Sequence, residues 1–208
     1  GHLDAAFSAD GIRWGKRFPV AEVRGDTHNN ALWAPELKKY VAFTREYPPP
    51  GIRTVLRMES RDFIKWSKPV EVLRGPIEAQ TYSMPVFRYA DVYLGLVAIY
   101  HTAGNLHGRV TTELAWSPDT KTWRRIDRGQ PLIPLSSTSG DINWGCIYAA
   151  SRPVVLKDEI RIYYSGQKKT HDWNDGWLCL ATLRTDGWAG YVPRNDGRPA
   201  VLVTKPVL

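Results

Sequence analysis

Apolar and polar residues change places along this chain in short runs, and no stretch keeps the three- and four-residue spacing of an amphipathic helix. The runs read as strands. Lys39–Arg45, Arg53–Glu59, Val110–Ser117 and Trp177–Arg184 are rich in β-branched and aromatic residues, and Val92–His101 is a longer apolar run. Between them fall breakers such as Tyr47-Pro48-Pro49-Pro50-Gly51 and the Ser- and Pro-rich stretch 131–140. Asn30–Ala34, Trp66–Leu73, Tyr82–Tyr89, Trp123–Ile126, Ile147–Leu156 and Ile160–Ser165 complete the expected strands, with Val192 or Val201–Val203 as a last one. Residues 3–23 give half of such a set: Ala5–Ser8, a turn, and Phe18–Val23.

One turn recurs. Ser8-Ala9-Asp10-Gly11-Ile12-Arg13-Trp14, Ser60-Arg61-Asp62-Phe63-Ile64-Lys65-Trp66 and Ser117-Pro118-Asp119-Thr120-Lys121-Thr122-Trp123 share the form Ser-x-Asp-x-x-x-Trp. A weaker copy surrounds Asp186 and Trp188. Ser and Asp side chains accept from backbone donors slightly further on and fold a tight turn. The Trp opens the next strand and packs between layers, so Trp14, Trp66 and Trp123 are read as structural. A repeat of this length, about 50 residues or more, built of four up-and-down strands, points to propeller blades. The expected fold is all-β: a single β-propeller domain of four-stranded antiparallel blades. About three and a half blades are present, over roughly 3–23 (half), 26–74, 78–128 and 141–204.

Composition narrows the function classes. The 208 residues are 43% hydrophobic and 24% charged, ordinary for a globular protein, with nine Trp and ten Tyr. The formal charge is +7, but Lys and Arg are scattered among acids and no nucleic-acid-binding pattern appears. No run approaches the length of a membrane span and none reads as a signal peptide, so neither nucleic acid nor membrane is an expected partner. A soluble protein is expected, in no particular compartment. Two cysteines, Cys146 and Cys179, are too few for a disulfide scaffold or a zinc site. On the first and third strands of one blade they stand roughly 9–10 Å apart, beyond disulfide reach. Two buried free thiols are expected.

The unit Tyr82-Ser83-Met84-Pro85-Val86-Phe87, the run Tyr163-Tyr164-Ser165-Gly166 followed by His171, and the repeated turn resemble the five-bladed propeller glycoside hydrolases. These are the invertase-like and arabinanase/xylosidase-like enzymes. The chain is shorter than five blades, so the resemblance implies a partial or shortened member. Self-association is then expected, as a homo-oligomer that closes the open propeller and covers its strand edges.

The resemblance also implies axial carboxylates near the start of each innermost strand, one protonating the leaving oxygen and one attacking or activating water. Asp26, Glu78 and Asp141 occupy three such positions and are the candidate catalytic residues. Gly-Asp is also ordinary turn chemistry, the plainer reading of Asp26 and Asp141. The family's order along the blades is Asp, Asp, Glu; here it is Asp, Glu, Asp, so roles do not transfer one by one. Arg45 is expected either to pair with an axial carboxylate or to be a strand-end cation. His28, Trp33, Tyr82, Trp144 and His171 join it as candidate substrate-binding residues. No metal ligand set is expected and no cofactor is required, though the resemblance leaves room for a central cation such as calcium. The expected ligand is an oligosaccharide or polysaccharide. The readings are a glycoside hydrolase, a non-catalytic carbohydrate-binding propeller, or a protein-interaction propeller; fold alone does not choose.

Overall fold

The computed structural model describes residues 1–171, 175–193, 195 and 197–203. The end of the last expected blade, at residue 204, lies outside them. Among the described residues, fifteen strands and one short 3₁₀ turn make up the regular structure.

The half unit is a hairpin of β1 (Leu3–Ala5) and β2 (Phe18–Ala21). Strand β1 ends earlier than expected, and Ser8 instead forms an isolated bridge to Trp14 across the first repeat turn. The next blade is complete and antiparallel throughout: β3 (Asn30–Ala34), β4 (Lys39–Glu46), β5 (Thr54–Ser60) and β6 (Val70–Arg74), in that order. Strand β6 begins four residues later than Trp66 because Pro69, which has no N–H, precedes it.

In the third unit the expected strand Tyr82–Tyr89 is two, β7 (Ala79–Ser83) and β8 (Val86–Tyr89). Met84-Pro85 interrupts them, and both pair with β9 (Val92–His101). β10 (Val110–Ser117) and the two-residue β11 (Arg124–Arg125) finish that blade. Pro153 breaks the next expected run in the same way, into β12 (Cys146–Ala149) and β13 (Val154–Val155). β14 (Glu159–Gln167) and β15 (Trp177–Arg184) follow. The expected fourth strand of this unit is not found among the described residues: Val192, Val201 and Val203 lie outside any strand and are exposed. Blades three and four are not separate sheets, because Val110 of β10 bridges Cys146 of β12 in parallel.

Burial follows the stacking of blades. β9 and β10 are buried on both faces, since blade three lies between blades two and four. β14 alternates strictly, half-buried, because only one face of blade four is covered. Val41, Phe43, Met84, Val97 and Trp123 fill the layer between blades two and three; Leu96, Leu114, Ile147, Ile160 and Ile162 fill the layer between three and four. Gly95 sits where the first layer is tightest: a Cβ there would lie 2.8 Å from the Met84 sulfur. The outward side chains Leu178 and Leu180 of β15 are exposed.

The three repeat turns share one geometry. Each Ser hydroxyl donates to its Asp Oδ1 at 3.0–3.1 Å, and that oxygen accepts the N–H groups two and three residues on at 2.7–2.9 Å. The residue after each Asp (Gly11, Phe63, Thr120) is left-handed. The weaker copy is different: Asp186 is itself left-handed and exchanges hydrogen bonds with the Tyr89 hydroxyl of the neighbouring blade. Cys146 and Cys179 are both buried and free.

Candidate functional site

A small buried cluster, Ala98, Val110 and Cys146, supports three tyrosines: Tyr82 on β7, Tyr100 on β9 and Tyr148 on β12. β7 and β12 are the innermost strands of their blades, so Tyr82 and Tyr148 face each other across the axis, ring centroids 5.5 Å apart. His28, just before the innermost strand β3, stacks on Tyr148 at 5.7 Å and meets the edge of Tyr82 at 6.5 Å. Three blades thus converge on one aromatic group.

Two loops close it. The N–H of Gly145 donates to Gln167 O, and the approach there is so tight that a Cβ on Gly145 would lie 1.8 Å from Lys169 O. This lays the segment after β14 against the start of β12. The N–H of His171 then donates to Gly108 O, and its Nε2 stands 3.0 Å from the Tyr82 hydroxyl. The His171 ring also packs on Tyr100 at 4.9 Å.

Arg45 lies beneath this group, almost fully buried, with its guanidinium 4.1 Å from the Tyr82 ring centre. Its Nη1 donates to Tyr82 O, and Nε and Nη2 both donate to Asp26 Oδ1, at 3.0 and 2.6 Å. Burial works against the charge on Asp26, but the Arg45 hydrogen bonds and charge, helped by Arg24, outweigh it and hold the carboxyl below the usual range. His28 is pushed the same way, by burial first and then by Arg45, which favours its neutral form. Arg24, Arg45 and Arg53 all lie over the ring of Tyr47, at 4.7, 5.1 and 5.2 Å.

Five expected residues therefore meet: Asp26, His28, Arg45, Tyr82 and His171. The others do not join them through any described contact. Glu78 is exposed on the turn before β7. Asp141 is exposed and accepts from the Ser136 hydroxyl at 2.5 Å, inside its own loop, which fits ordinary turn chemistry. Trp33 packs on Tyr40 at 4.9 Å, towards the second repeat turn. Trp144 packs on the Arg109 guanidinium at 4.5 Å. Tyr47, Arg53, Tyr100 and Tyr148 were missed; the only signal for them was the density of Tyr and Arg at strand ends. Among the described residues, no three His, Cys, Asp or Glu side chains gather in a way that could hold a metal ion.

The sequence matches no protein-family profile and no curated protein. Solved structures do resemble it. An N-acetylgalactosamine deacetylase from F. plautii, in complex with blood group B trisaccharide, is 14% identical over 90% of this chain with a TM-score of 0.66. A Bombyx mori β-fructofuranosidase of glycoside hydrolase family 32 is 14% identical over 88%, with a TM-score of 0.58. A putative glycoside hydrolase from Parabacteroides distasonis is 16% identical over 87%, with a TM-score of 0.55. The chain spans 65%, 39% and 58% of those three proteins respectively. Likeness in shape at such low identity is a statement about architecture, and the chain carries a partial β-propeller fold: a half unit, two four-stranded blades and, among the described residues, a last unit without its outer strand.

Proposed function

We propose that this chain acts on the glycosidic bonds of an oligosaccharide or polysaccharide, with Asp26 as the ionised carboxylate at the axis. The observation that carries the reading is the Asp26–Arg45 pair set beneath Tyr82, where three blades converge. A sugar ring needs an aromatic face for its C–H groups and polar groups at its edge. Tyr82 and Tyr148 supply the faces; His28 and His171 supply edge contacts. Glycoside hydrolysis also needs one carboxylate kept charged and one carboxylic acid kept protonated. The lowered pKa of Asp26 suits the charged role, nucleophile or base. The second carboxyl in this scheme is Glu78, exposed before the innermost strand of the next blade and, among the described residues, in no ion pair.

A second reading is a non-catalytic carbohydrate-binding propeller. It is favoured by the absence of any described interaction joining Asp26 to Glu78 or Asp141. The similar structures include a deacetylase beside a β-fructofuranosidase, so shape does not select the reaction. Hydrolysis of a panel of aryl glycosides decides. Under the first reading Asp26→Asn and Glu78→Gln each lower the rate by about 100-fold or more. Unchanged rates in both variants remove it, and glycan binding without turnover moves the assignment to the second.

A further inference from the structure

Around Tyr47 the positive charge exceeds what the chain itself neutralises. Three guanidinium groups, from Arg24, Arg45 and Arg53, lie within 5.2 Å of that ring's centre. Arg45 is matched by Asp26. Glu46, whose two oxygens accept from the backbone N–H groups of Arg24 and Tyr47, adds a second negative charge, so the three arginines keep an excess of one positive charge over Asp26 and Glu46. Arg24 and Arg53 have no ion-pair partner among the described residues. Arg53 donates only to the neutral Gln80 Oε1, at 3.0 Å from Nη1, and its Nε is buried without an acceptor. The same guanidinium lies 4.5 Å from the Tyr100 ring centre and 5.6 Å from that of Tyr82. The unmatched charge therefore borders the aromatic group that the carbohydrate reading assigns to a sugar.

We propose that the ligand is an acidic glycan, whose compact oxyanion (a uronate carboxylate or a sulfate ester) sits between Arg24 and Arg53 while its ring lies on Tyr82. This rests on the carbohydrate reading and adds a charge requirement to it. Guanidinium groups hold carboxylate and sulfate oxygens through paired, charge-assisted hydrogen bonds. Both guanidinium groups lie over the Tyr47 ring, a contact that adds no negative charge to cancel theirs.

The test is calorimetric titration of the full chain with galacturonate and glucuronate oligosaccharides, their methyl esters, and O-sulfated neutral counterparts. The acid or the sulfate is expected to bind at least about tenfold more tightly than the uncharged ester. The gap is expected to narrow as salt rises. Arg53→Gln and Arg24→Gln, each confirmed folded by near-UV circular dichroism, are expected to bring the charged ligand towards the ester's affinity. Tighter sulfate than carboxylate identifies the source of the oxyanion and supports the proposal. Equal affinity for acid and ester overturns the charge requirement while leaving the carbohydrate reading standing. Binding of no glycan, charged or neutral, overturns both.

Discussion

Arg45 gives both Nε and Nη2 to a single oxygen of Asp26, Oδ1, and so leaves Oδ2, among the described residues, with the Tyr47 hydroxyl at 3.5 Å. A fork-to-fork pair would occupy both oxygens. Here one oxygen is anchored, and the Asp26 side chain is 45% exposed. That arrangement suits a group that must stay charged and still reach a ligand.

The pair has a pH signature. Burial raises the Asp26 pKa and Arg45 lowers it, with the lowering dominant. Removing the guanidinium in Arg45→Gln leaves burial opposed by the hydrogen bond from the Asp26 backbone and by Arg24, without the larger Arg45 contribution, so the pKa rises. Under the proposed hydrolysis, the acidic limb of the rate profile then moves to higher pH than in the wild type. Carboxyl-carbon NMR titration of Asp26 reads the same shift without needing turnover. An unmoved titration would show that Arg45 does not hold the charge.

Tyr82 joins most of the site, and its two chemical parts separate by mutation. Tyr82→Phe keeps the ring against Tyr148 and over Arg45 and removes only the hydroxyl near His171 Nε2. Glycan affinity is expected to fall by only a few-fold, the worth of about one hydrogen bond. Tyr82→Ala removes the face, and the loss is expected to reach about tenfold or more. Equal losses in both variants would place the binding energy on the hydroxyl instead of the ring.

The strands with strong local pattern were legible: β3, β9, β10 and β15 match their sequence runs end for end. Two of the differences fall at a proline. Pro85 and Pro153 each split one expected strand, since an apolar run says nothing about a missing N–H. The free thiols followed from strand spacing. The site was half legible. Asp26, His28, Arg45 and Tyr82 stand near the axial ends of strands that could be placed. Arg53 and Tyr148 reach the site across blade boundaries, and spacing along one chain carries no record of which blades touch. Glu78 and Asp141 looked equivalent to Asp26 because a repeat preserves position before a strand; it does not preserve what the side chain meets.

The repeated turn is predicted to matter unequally. Trp123 is 9% exposed, wedged against Phe43 at the layer between blades two and three, with its indole N–H donating to Thr120 O. Trp14 occupies the same motif position in the half unit and is 65% exposed. Trp123→Ala is expected to cost about 3–5 kcal/mol through the cavity it leaves. Trp14→Ala is expected to stay within about 0.5 kcal/mol, as exposed substitutions do. Urea unfolding of the two variants measures the contrast, and similar midpoints would contradict the layer assignment.

Blade three closes at its outer edge with a strand of only two residues, β11, which makes just two register pairs with β10. So short a ladder needs other support, and a buried ion pair supplies it. Arg125 of β11 reaches Glu113 of β10 through Nε at 2.8 Å and Nη2 at 2.5 Å, with both side chains at most 5% exposed. The other Glu113 oxygen accepts the N–H of Gly129, which fixes the turn beyond β11. Removing one partner strands the other charge in a dry place. Glu113→Ala is therefore expected to destabilise by about 3–5 kcal/mol, and the double replacement Glu113→Leu with Arg125→Met by much less. Denaturant unfolding of the three proteins gives the comparison. If the single variant were as stable as the double one, the edge would be held by its backbone pairs alone, and the ion pair would be incidental to the blade.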